Sequence, residues 1–232
     1  MNPFKITDIF FDLDHTLWDF DANSDRAYEK LLKKYQIPID IQTFTAVYEP
    51  INNRYWEAYS KGEKTKDEVK YNRLKDTFAR FSQIEIPEKT VEKMAEEYLD
   101  YLKEESILID GTLEILEYLK DKYRLHILTN GFIEIQKEKM KNSGIEHYFE
   151  YIITSEEVGK QKPHPEVFQH ALKTAGTFAH KSVMIGDNFK SDILGARNVG
   201  MHAIHFDPFE TNDVEFKIIP KVKHLREIKE IL

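Results

Sequence analysis

Cysteine is absent from this sequence. Its absence excludes disulfide bonds, thiolate metal ligands and a cysteine nucleophile. Long apolar stretches are also lacking, since no hydrophobic run approaches the roughly 18 residues that a membrane-spanning helix needs. The first residues lead straight into a strand-like segment and lack the pattern of a signal peptide. We therefore expect a cytoplasmic protein with no membrane partner.

An excess of positive charge is missing as well. The 232 residues carry a formal net charge of −8, with basic and acidic side chains mixed along the chain. A nucleic-acid polymer needs a concentrated basic surface, so we exclude it as a partner. A small anionic substrate stays compatible with the sequence if positive charge is local. With 41% hydrophobic residues, the chain can form one large domain, or a core domain that carries a smaller one.

Glycine is scarce in residues 19–106, where Gly62 is the only example. Strand patterns are missing there too, and apolar residues recur at helical spacing, as at Ala27, Leu31 and Tyr35. Breaks near Pro38, Gly62 and Pro87 divide this stretch into about four helices. We predict that residues 19–106 form an all-helical domain, inserted into a core domain of residues 1–18 and 107–232.

Strands alternate with helices on either side of this helical insert. The predicted strands are an apolar run that begins at Ile9 and the segments 124–128, 151–154, 182–185, 202–206 and 216–219. The predicted helices that follow them include 164–175, 191–199 and 224–232. Parallel neighbours need such crossovers, which are nearly always right-handed. The expected fold is therefore α/β, a doubly wound parallel sheet with the all-helical domain inserted after the first strand.

Polar side chains lie at four places where predicted strands end. These are Asp12, Asp14 and Thr16; Thr129, Asn130 and Gly131; Lys162; and Asp187 with Asp192. Ligands of open parallel sheets bind beyond the carboxyl ends of the strands. Asp12 and Asp14 would point to opposite faces of an extended strand, so they share a site only if the strand breaks near Leu13. One of these carboxylates can be a nucleophile and the other an acid–base group. Each group alone is typical of a turn or a cap, but their succession predicts one site.

These residues resemble the four motifs of the haloacid dehalogenase superfamily, most of whose members are phosphatases. The similar positions are Asp12-x-Asp14-x-Thr16 in the first motif, Thr129 in the second, Lys162 in the third, and Gly186-Asp187 with Asp192 in the fourth. The resemblance extends from Lys5 to Phe206, and the helical insert is similar to the cap that the family places between its first two motifs. Segments 17–20 and 155–163 look most like the branch that dephosphorylates pyrimidine nucleoside monophosphates.

The resemblance implies a catalytic role for each motif. Asp12 would attack phosphorus and form an aspartyl-phosphate, while Asp14 would act as general acid and then as general base. The phosphate oxygens would be bound by Thr129, by the backbone amides near Asn130 and Gly131, and by Lys162. The substrate would be a small phosphorylated metabolite. Trp18 and Phe20 are candidates for lining the leaving-group side of the site.

The resemblance also implies a metal site. The carboxylates of Asp12 and Asp187 and the backbone carbonyl of Asp14 would bind Mg²⁺, and Asp192 would support them from outside the direct ligands. A set of oxygen donors without sulfur suits Mg²⁺, which usually binds through one or two carboxylates together with phosphate and water. At His15 the family more often has glycine or aspartate, and we interpret this residue as a tolerated loop position.

Three classes of function remain open. The first is a Mg²⁺-dependent 5′-nucleotidase for pyrimidine nucleoside monophosphates. The second keeps the mechanism but acts on a sugar phosphate or phosphoglycolate, or is a phosphomutase. The third is a non-catalytic binding protein, which the intact set of motif residues argues against. A 2-haloacid dehalogenase is disfavoured too, because those enzymes lack the second aspartate of the first motif, here Asp14. The sequence is compatible with a monomer or a homodimer.

Overall fold

A six-stranded parallel sheet organises the α/β part of the protein. The computed structural model describes residues 5–210 and 219–232. The strands are β1 (Asp8–Phe11), β2 (Arg124–Thr129), β3 (Tyr151–Thr154), β4 (Ser182–Gly186), β5 (His202–Phe206) and β6 (Lys221–Val222). Their order in the sheet is β3-β2-β1-β4-β5-β6, and every adjacent pair is parallel. The predicted α/β fold with a doubly wound parallel sheet is confirmed.

Helices connect these strands and fill the segment after β1. Within the described residues the α-helices are α1 (Phe20–Lys34), α2 (Ile41–Ser60), α3 (Lys66–Phe78), α4 (Glu88–Glu104), α5 (Thr112–Leu119), α6 (Ile133–Asn142), α7 (Pro165–Thr174) and α8 (Gly195–Asn198). Short 3₁₀ helices lie at Glu146–Tyr148, Ser155–Glu157, Ala179–Lys181 and Leu225–Glu230, and a π-helix lies at Phe189–Leu194. None of the described helices is long and apolar enough to cross a membrane.

Strand β1 lies in the middle of the sheet, between β2 and β4. All four of its residues are buried, which explains why the three that follow Asp8 are apolar without alternation. Phe10 is aligned with His126 on one neighbour and with Met184 on the other. On one face of the sheet the core contains Phe10, Leu128, Ile153, Val167, Phe168, Ala171, Met184 and Met201. This packing fixes the carboxyl end of β1, where Asp12 follows.

Two predicted helices differ from the structure. The predicted helix 191–199 is a π-helix at Phe189–Leu194 that continues as the short helix α8; π turns are rare and frequently lie at functional sites. The predicted helix 224–232 is a 3₁₀ helix at Leu225–Glu230, where the buried Leu225 and Ile228 are three residues apart, as a three-residue turn requires. The predicted strand 216–219 falls almost wholly outside the described residues, and β6 follows it.

The described chain divides into two compact units. The segments up to Phe20 and from Ile107 onward form one unit, and Asp21–Ser106 forms the other, which we call the helical unit. The helical unit is built from helices α1 to α4. Its core is aromatic: the rings of Tyr28 and Tyr98 stack at 4.2 Å between centroids. A buried guanidinium, that of Arg73, lies 5.3 Å from the ring centroid of Tyr98.

Candidate active site

The carboxyl ends of β1, β2 and β4 bring three of the predicted motifs to one edge of the sheet. Asp12 directly follows β1 and continues its pairing, because its backbone N–H donates to Ile185 O at 2.9 Å. Thr129 is the last residue of β2, and Asp187 directly follows β4. Since the strands are parallel and in register, these side chains start from the same edge. The predicted convergence of strand ends is therefore present in the fold.

Lys162 lies at this edge of the sheet and contacts two carboxylates, those of Asp12 and Asp192. Its side chain is buried, and its Nζ lies 2.7 Å from Asp12 Oδ1 and 2.7 Å from Asp192 Oδ1. Nζ also donates to the carbonyl oxygen of Leu128 at 2.7 Å. Burial opposes the charged ammonium, but the two carboxylates outweigh burial, so the pKa of Lys162 lies above its ordinary value. Lys162 therefore carries a positive charge at the end of β1.

Three carboxylates lie close together beside this lysine. Asp12, Asp187 and Asp192 each offer one oxygen, and these oxygens all lie within 4.8 Å of one another. Burial raises the pKa of Asp12 to about 8, and the two other carboxylates add to the shift against the opposing charge of Lys162. Burial, followed by the charge of Asp192, raises the pKa of Asp187 to about 7. A divalent cation would offset this repulsion, and the oxygen-only donor set fits Mg²⁺.

Hydrogen bonds fix the position of Asp187. Thr16 Oγ1 donates to Asp187 Oδ1 at 3.0 Å and accepts from the Asp187 backbone N–H at 3.1 Å. The buried ring of His205 places its Nε2 2.8 Å from the Asp187 carbonyl oxygen, which can only accept. Thr16, the last residue of the first motif, therefore contacts the first aspartate of the fourth motif.

The π-helix positions Asp192 against the end of β4. The backbone N–H of Asn188 donates to Asp192 Oδ2 at 3.1 Å. Gly186 leaves room for this carboxylate, because a Cβ at Gly186 would lie 2.4 Å from Asp192 Oδ2. A larger residue at Gly186 would displace Asp192 and its contact with Lys162.

Thr129 ends β2 and Asn130 and Gly131 follow it, and the side chains of Thr129 and Asn130 are hydrogen-bonded within the protein. Thr129 Oγ1 accepts from the Gly131 N–H at 3.0 Å. The Asn130 side chain pairs with the backbone of Lys162: its Oδ1 accepts from Lys162 N at 2.8 Å and its Nδ2 donates to Lys162 O at 3.2 Å. Asn130 therefore fixes the lysine loop through its side chain. Binding of phosphate by the backbone amides near Asn130 and Gly131 stays a prediction.

Asp14 lies in the turn that follows β1. The strand ends at Phe11, and residue 15 has a left-handed backbone with φ of 64°, so Asp14 is released from strand geometry. Its carboxylate lies beside the second motif, since a Cβ at Gly131 would be 3.2 Å from Asp14 Oδ2. The break in the strand that the Asp12–Asp14 spacing requires is present. Trp18, expected to line the leaving-group side, is fully buried, and its indole N–H donates to Ser143 Oγ at 3.1 Å.

Two residues of α6 contact Asp14 and were not predicted as site residues. Lys139 Nζ contacts Asp14 Oδ1, and Gln136 Nε2 donates to Asp14 Oδ2 at 3.2 Å. Both side chains are buried. Lys and Gln in a helix are normally solvated, so the residue types alone gave no signal. In the structure Ile135, Gln136, Lys139 and Met140 are buried on one face of α6, and this face brings both polar side chains to Asp14.

Comparison with known proteins identifies the family. Residues 9–206 match the family model described as haloacid dehalogenase-like hydrolase. The chain is 34% identical over 202 residues to the pyrimidine 5′-nucleotidase PynA of Streptococcus pneumoniae, covering 86% of this chain and 83% of PynA. It is 30% identical over 196 residues to the pyrimidine 5′-nucleotidase YjjG of Escherichia coli, covering 83% of this chain and 82% of YjjG.

A solved structure shows the same fold. The HAD-hydrolase YfnB of Bacillus subtilis, in a crystal form bound to magnesium, superimposes with a TM-score of 0.86 at 29% identity. The match covers 98% of this chain and 99% of YfnB. On the match of 198 consecutive positions, 9 to 206, and on these relatives, the chain belongs to the haloacid dehalogenase-like hydrolase family and is a hydrolase.

Proposed function

We propose that this hydrolase is a Mg²⁺-dependent phosphatase that cleaves a small phosphate monoester through an aspartyl-phosphate on Asp12. One observation carries the proposal: the buried Asp12 carboxylate contacts the Lys162 ammonium at 2.7 Å and lies within 4.8 Å of oxygens of Asp187 and Asp192. A nucleophilic carboxylate that approaches a phosphate dianion needs positive charge around it. At about 4 Å and an effective dielectric near 20, each pair of like unit charges costs about 4 kcal/mol.

The metal site of the proposal consists of the carboxylates of Asp12 and Asp187 and the backbone carbonyl of Asp14. Asp192 supports this set through its contacts with Asn188 and Lys162. When bound, Mg²⁺ supplies charge neutralisation between carboxylate and phosphate. The magnesium in the crystal of the similar YfnB supports this choice of ion.

Transfer of the phosphoryl group begins at Asp12. One of its carboxylate oxygens attacks phosphorus, and the bond between phosphorus and the ester oxygen breaks. Asp14 gives a proton to the departing alkoxide, and Lys162 balances the charge of nucleophile and phosphate. Thr129 and the amides near Asn130 and Gly131 bind the phosphoryl oxygens. The presence of Asp14 favours this reaction over dehalogenation, which has no alkoxide to protonate.

The substrate of the proposal is a pyrimidine nucleoside 5′-monophosphate. The names of PynA and YjjG, both pyrimidine 5′-nucleotidases at 30% identity or more, support this class. The domain of residues 19–106 would act as the cap that selects the leaving group. Its four helices and aromatic core make it a folded unit that can carry such a role.

Release of inorganic phosphate tests the proposal. The purified protein is assayed with Mg²⁺ and with EDTA on UMP, dUMP, TMP, AMP, phosphoglycolate, sugar phosphates and p-nitrophenyl phosphate. We expect Mg²⁺-dependent release with the highest kcat/KM for UMP, dUMP or TMP. A higher kcat/KM for the sugar phosphates or phosphoglycolate would contradict the proposed substrate class but would still support the phosphatase mechanism. No release from any compound by a folded protein would overturn the phosphatase function.

A further inference from the structure

Lys139 is a buried lysine that the mechanism above does not use. Its side chain is 0% exposed, and its Nζ contacts Asp14 Oδ1. The same Nζ lies 3.8 Å from the ring centroid of Trp18. Burial of an ammonium is costly unless its charge is paired. Here the partner is the carboxylate of Asp14, the proposed general acid and base. A lysine in the middle of an amphipathic helix would otherwise lie on its solvent face.

Gln136, one helical turn earlier on α6, contacts the other oxygen of the same carboxylate. Its Nε2 donates to Asp14 Oδ2 at 3.2 Å. Its Oε1 is buried and has no hydrogen-bond partner among the described residues. Such an unsatisfied acceptor costs free energy, so packing alone would favour an apolar side chain at this position. Gly131 leaves the space for this amide, because a Cβ there would lie 1.3 Å from Gln136 Nε2. Both oxygens of Asp14 are therefore held by one helix.

Trp18 restricts where Lys139 can go. The indole is fully buried, and its N–H is fixed by Ser143 Oγ at 3.1 Å, on the residue that follows α6. The face of an indole attracts a cation, and the attraction is larger where water is excluded. Lys139 is thus confined between the ring of Trp18 and the carboxylate of Asp14. The arrangement leaves the Asp14 side chain little rotational freedom.

We propose that Lys139 and Gln136 are positioning residues that orient the ionised carboxylate of Asp14 for the second half of the reaction, hydrolysis of the aspartyl-phosphate. This inference rests on the proposed function. Two donors on the two oxygens match the acceptor-only, ionised form of a carboxylate. That form is the one that accepts a proton, so the resting contacts suit the general base more than the general acid.

In this step a water oxygen attacks the phosphorus of the aspartyl-phosphate. The bond between phosphorus and the Asp12 oxygen breaks, and its electron pair restores the Asp12 carboxylate. The proton lost by the water goes to the Asp14 carboxylate, and inorganic phosphate leaves. A carboxylate that rotates freely would meet the water in the right orientation less often, which lowers the rate of this step. With a leaving group that needs no proton, the first step does not depend on Asp14.

The test uses p-nitrophenyl phosphate, whose nitrophenolate leaves as an anion and needs no proton from Asp14. Lys139→Met should still release about one equivalent of nitrophenolate per enzyme in a rapid burst. The following steady-state kcat should fall about 10- to 100-fold, part of what a general base is worth. Acid-quenched enzyme should contain accumulated phosphoenzyme. Lys137→Met is the control, since Lys137 lies on the same helix with its side chain 69% exposed, and it should behave as wild type.

Gln136→Leu provides a second variant that does not remove a charge. It should show the same burst and a smaller fall in steady-state kcat. If Lys139→Met does not fold, Gln136→Leu tests the proposed positioning role by itself. Wild-type kinetics in a folded Lys139→Met or Gln136→Leu protein would overturn the inference. An equal slowing of burst and steady state, without phosphoenzyme, would also overturn it, because that is the signature of a general structural defect. If the wild-type enzyme itself released neither nitrophenolate nor phosphate, the proposed function would fail instead.

Discussion

Lys162 Nζ donates to Asp12 Oδ1 at 2.7 Å in a buried pair, although the two residues are 150 positions apart in the sequence. Asp12 ends the central strand, and Lys162 lies in the loop before α7. The backbone of Lys162 is fixed by the Asn130 side chain, which accepts from the Lys162 N–H and donates to the Lys162 carbonyl oxygen. Nucleophile, charge-balancing lysine and the loop after β2 therefore form one connected set.

Replacement of the proposed nucleophile should abolish turnover. Asp12→Asn keeps the shape of the side chain but removes the charge and the nucleophilic oxygen, so kcat should fall by about 10⁴-fold or more. Phosphate release from UMP and p-nitrophenyl phosphate, with Mg²⁺, measures the loss. Independent preparations exclude carry-over of another phosphatase. Activity near the wild-type level in such preparations would falsify the aspartyl-phosphate mechanism.

Replacement of Asp14 should separate chemistry from binding. Asp14→Asn retains a polar side chain beside Gly131 and α6 but cannot exchange a proton, so kcat should fall about 10²- to 10⁴-fold while KM changes little. The burst phase should fall more for an alkyl ester such as UMP than for p-nitrophenyl phosphate, because only the alkoxide needs protonation. Rapid-quench measurements on both esters check this. An equal loss of the burst rate on both would contradict the role as general acid.

The part of the site that follows from the sequence is the part carried by strand ends. An apolar strand followed by polar residues can be recognised from the sequence. Because parallel strands place those residues at one edge of the sheet, Asp12, Thr129 and Asp187 could be grouped. Two members of the three-carboxylate cluster, Asp12 and Asp187, have that origin, whereas Asp192 is placed by the π-helix.

Contacts that depend on helix rotation and turn geometry could not be predicted. Lys139 and Gln136 reach Asp14 because one face of α6 turns inward, and a helix with several lysines gives no sign of which one is buried. The sequence did not indicate whether the Asn130 side chain faces the phosphate or the protein. In the structure it faces the protein, where its Oδ1 accepts from the Lys162 N–H. The π turn at Phe189–Leu194 likewise depends on local hydrogen bonds, with Asn188 accepting from Ser191 N.

Lys162 should tolerate neither loss of charge nor a change of shape. Its ammonium contacts two carboxylates and a carbonyl at 2.7 Å in a buried site, which a compact cation can do and a planar guanidinium cannot. Both Lys162→Met and Lys162→Arg should therefore lower kcat by about 10²-fold or more. Lys160→Met, at a lysine whose side chain is 40% exposed, is the control and should keep wild-type kcat. Full activity in Lys162→Arg would argue against this geometry.

Asp8, at the amino end of β1, should give the fold a pH-dependent stability. Burial opposes its ionisation, but hydrogen bonds led by that from Thr177 outweigh burial, and the pKa of Asp8 lies below its ordinary value. A lowered pKa stabilises the folded state above the unfolded pKa of about 3.9, and the contribution is lost as pH falls through the folded value. Asp8→Asn should cost about 1.5–3 kcal/mol in unfolding free energy near pH 7. Urea unfolding at several pH values should show the difference from wild type shrink below about pH 4. A difference that stays constant down to pH 2.5 would mean that ionised Asp8 does not stabilise the fold.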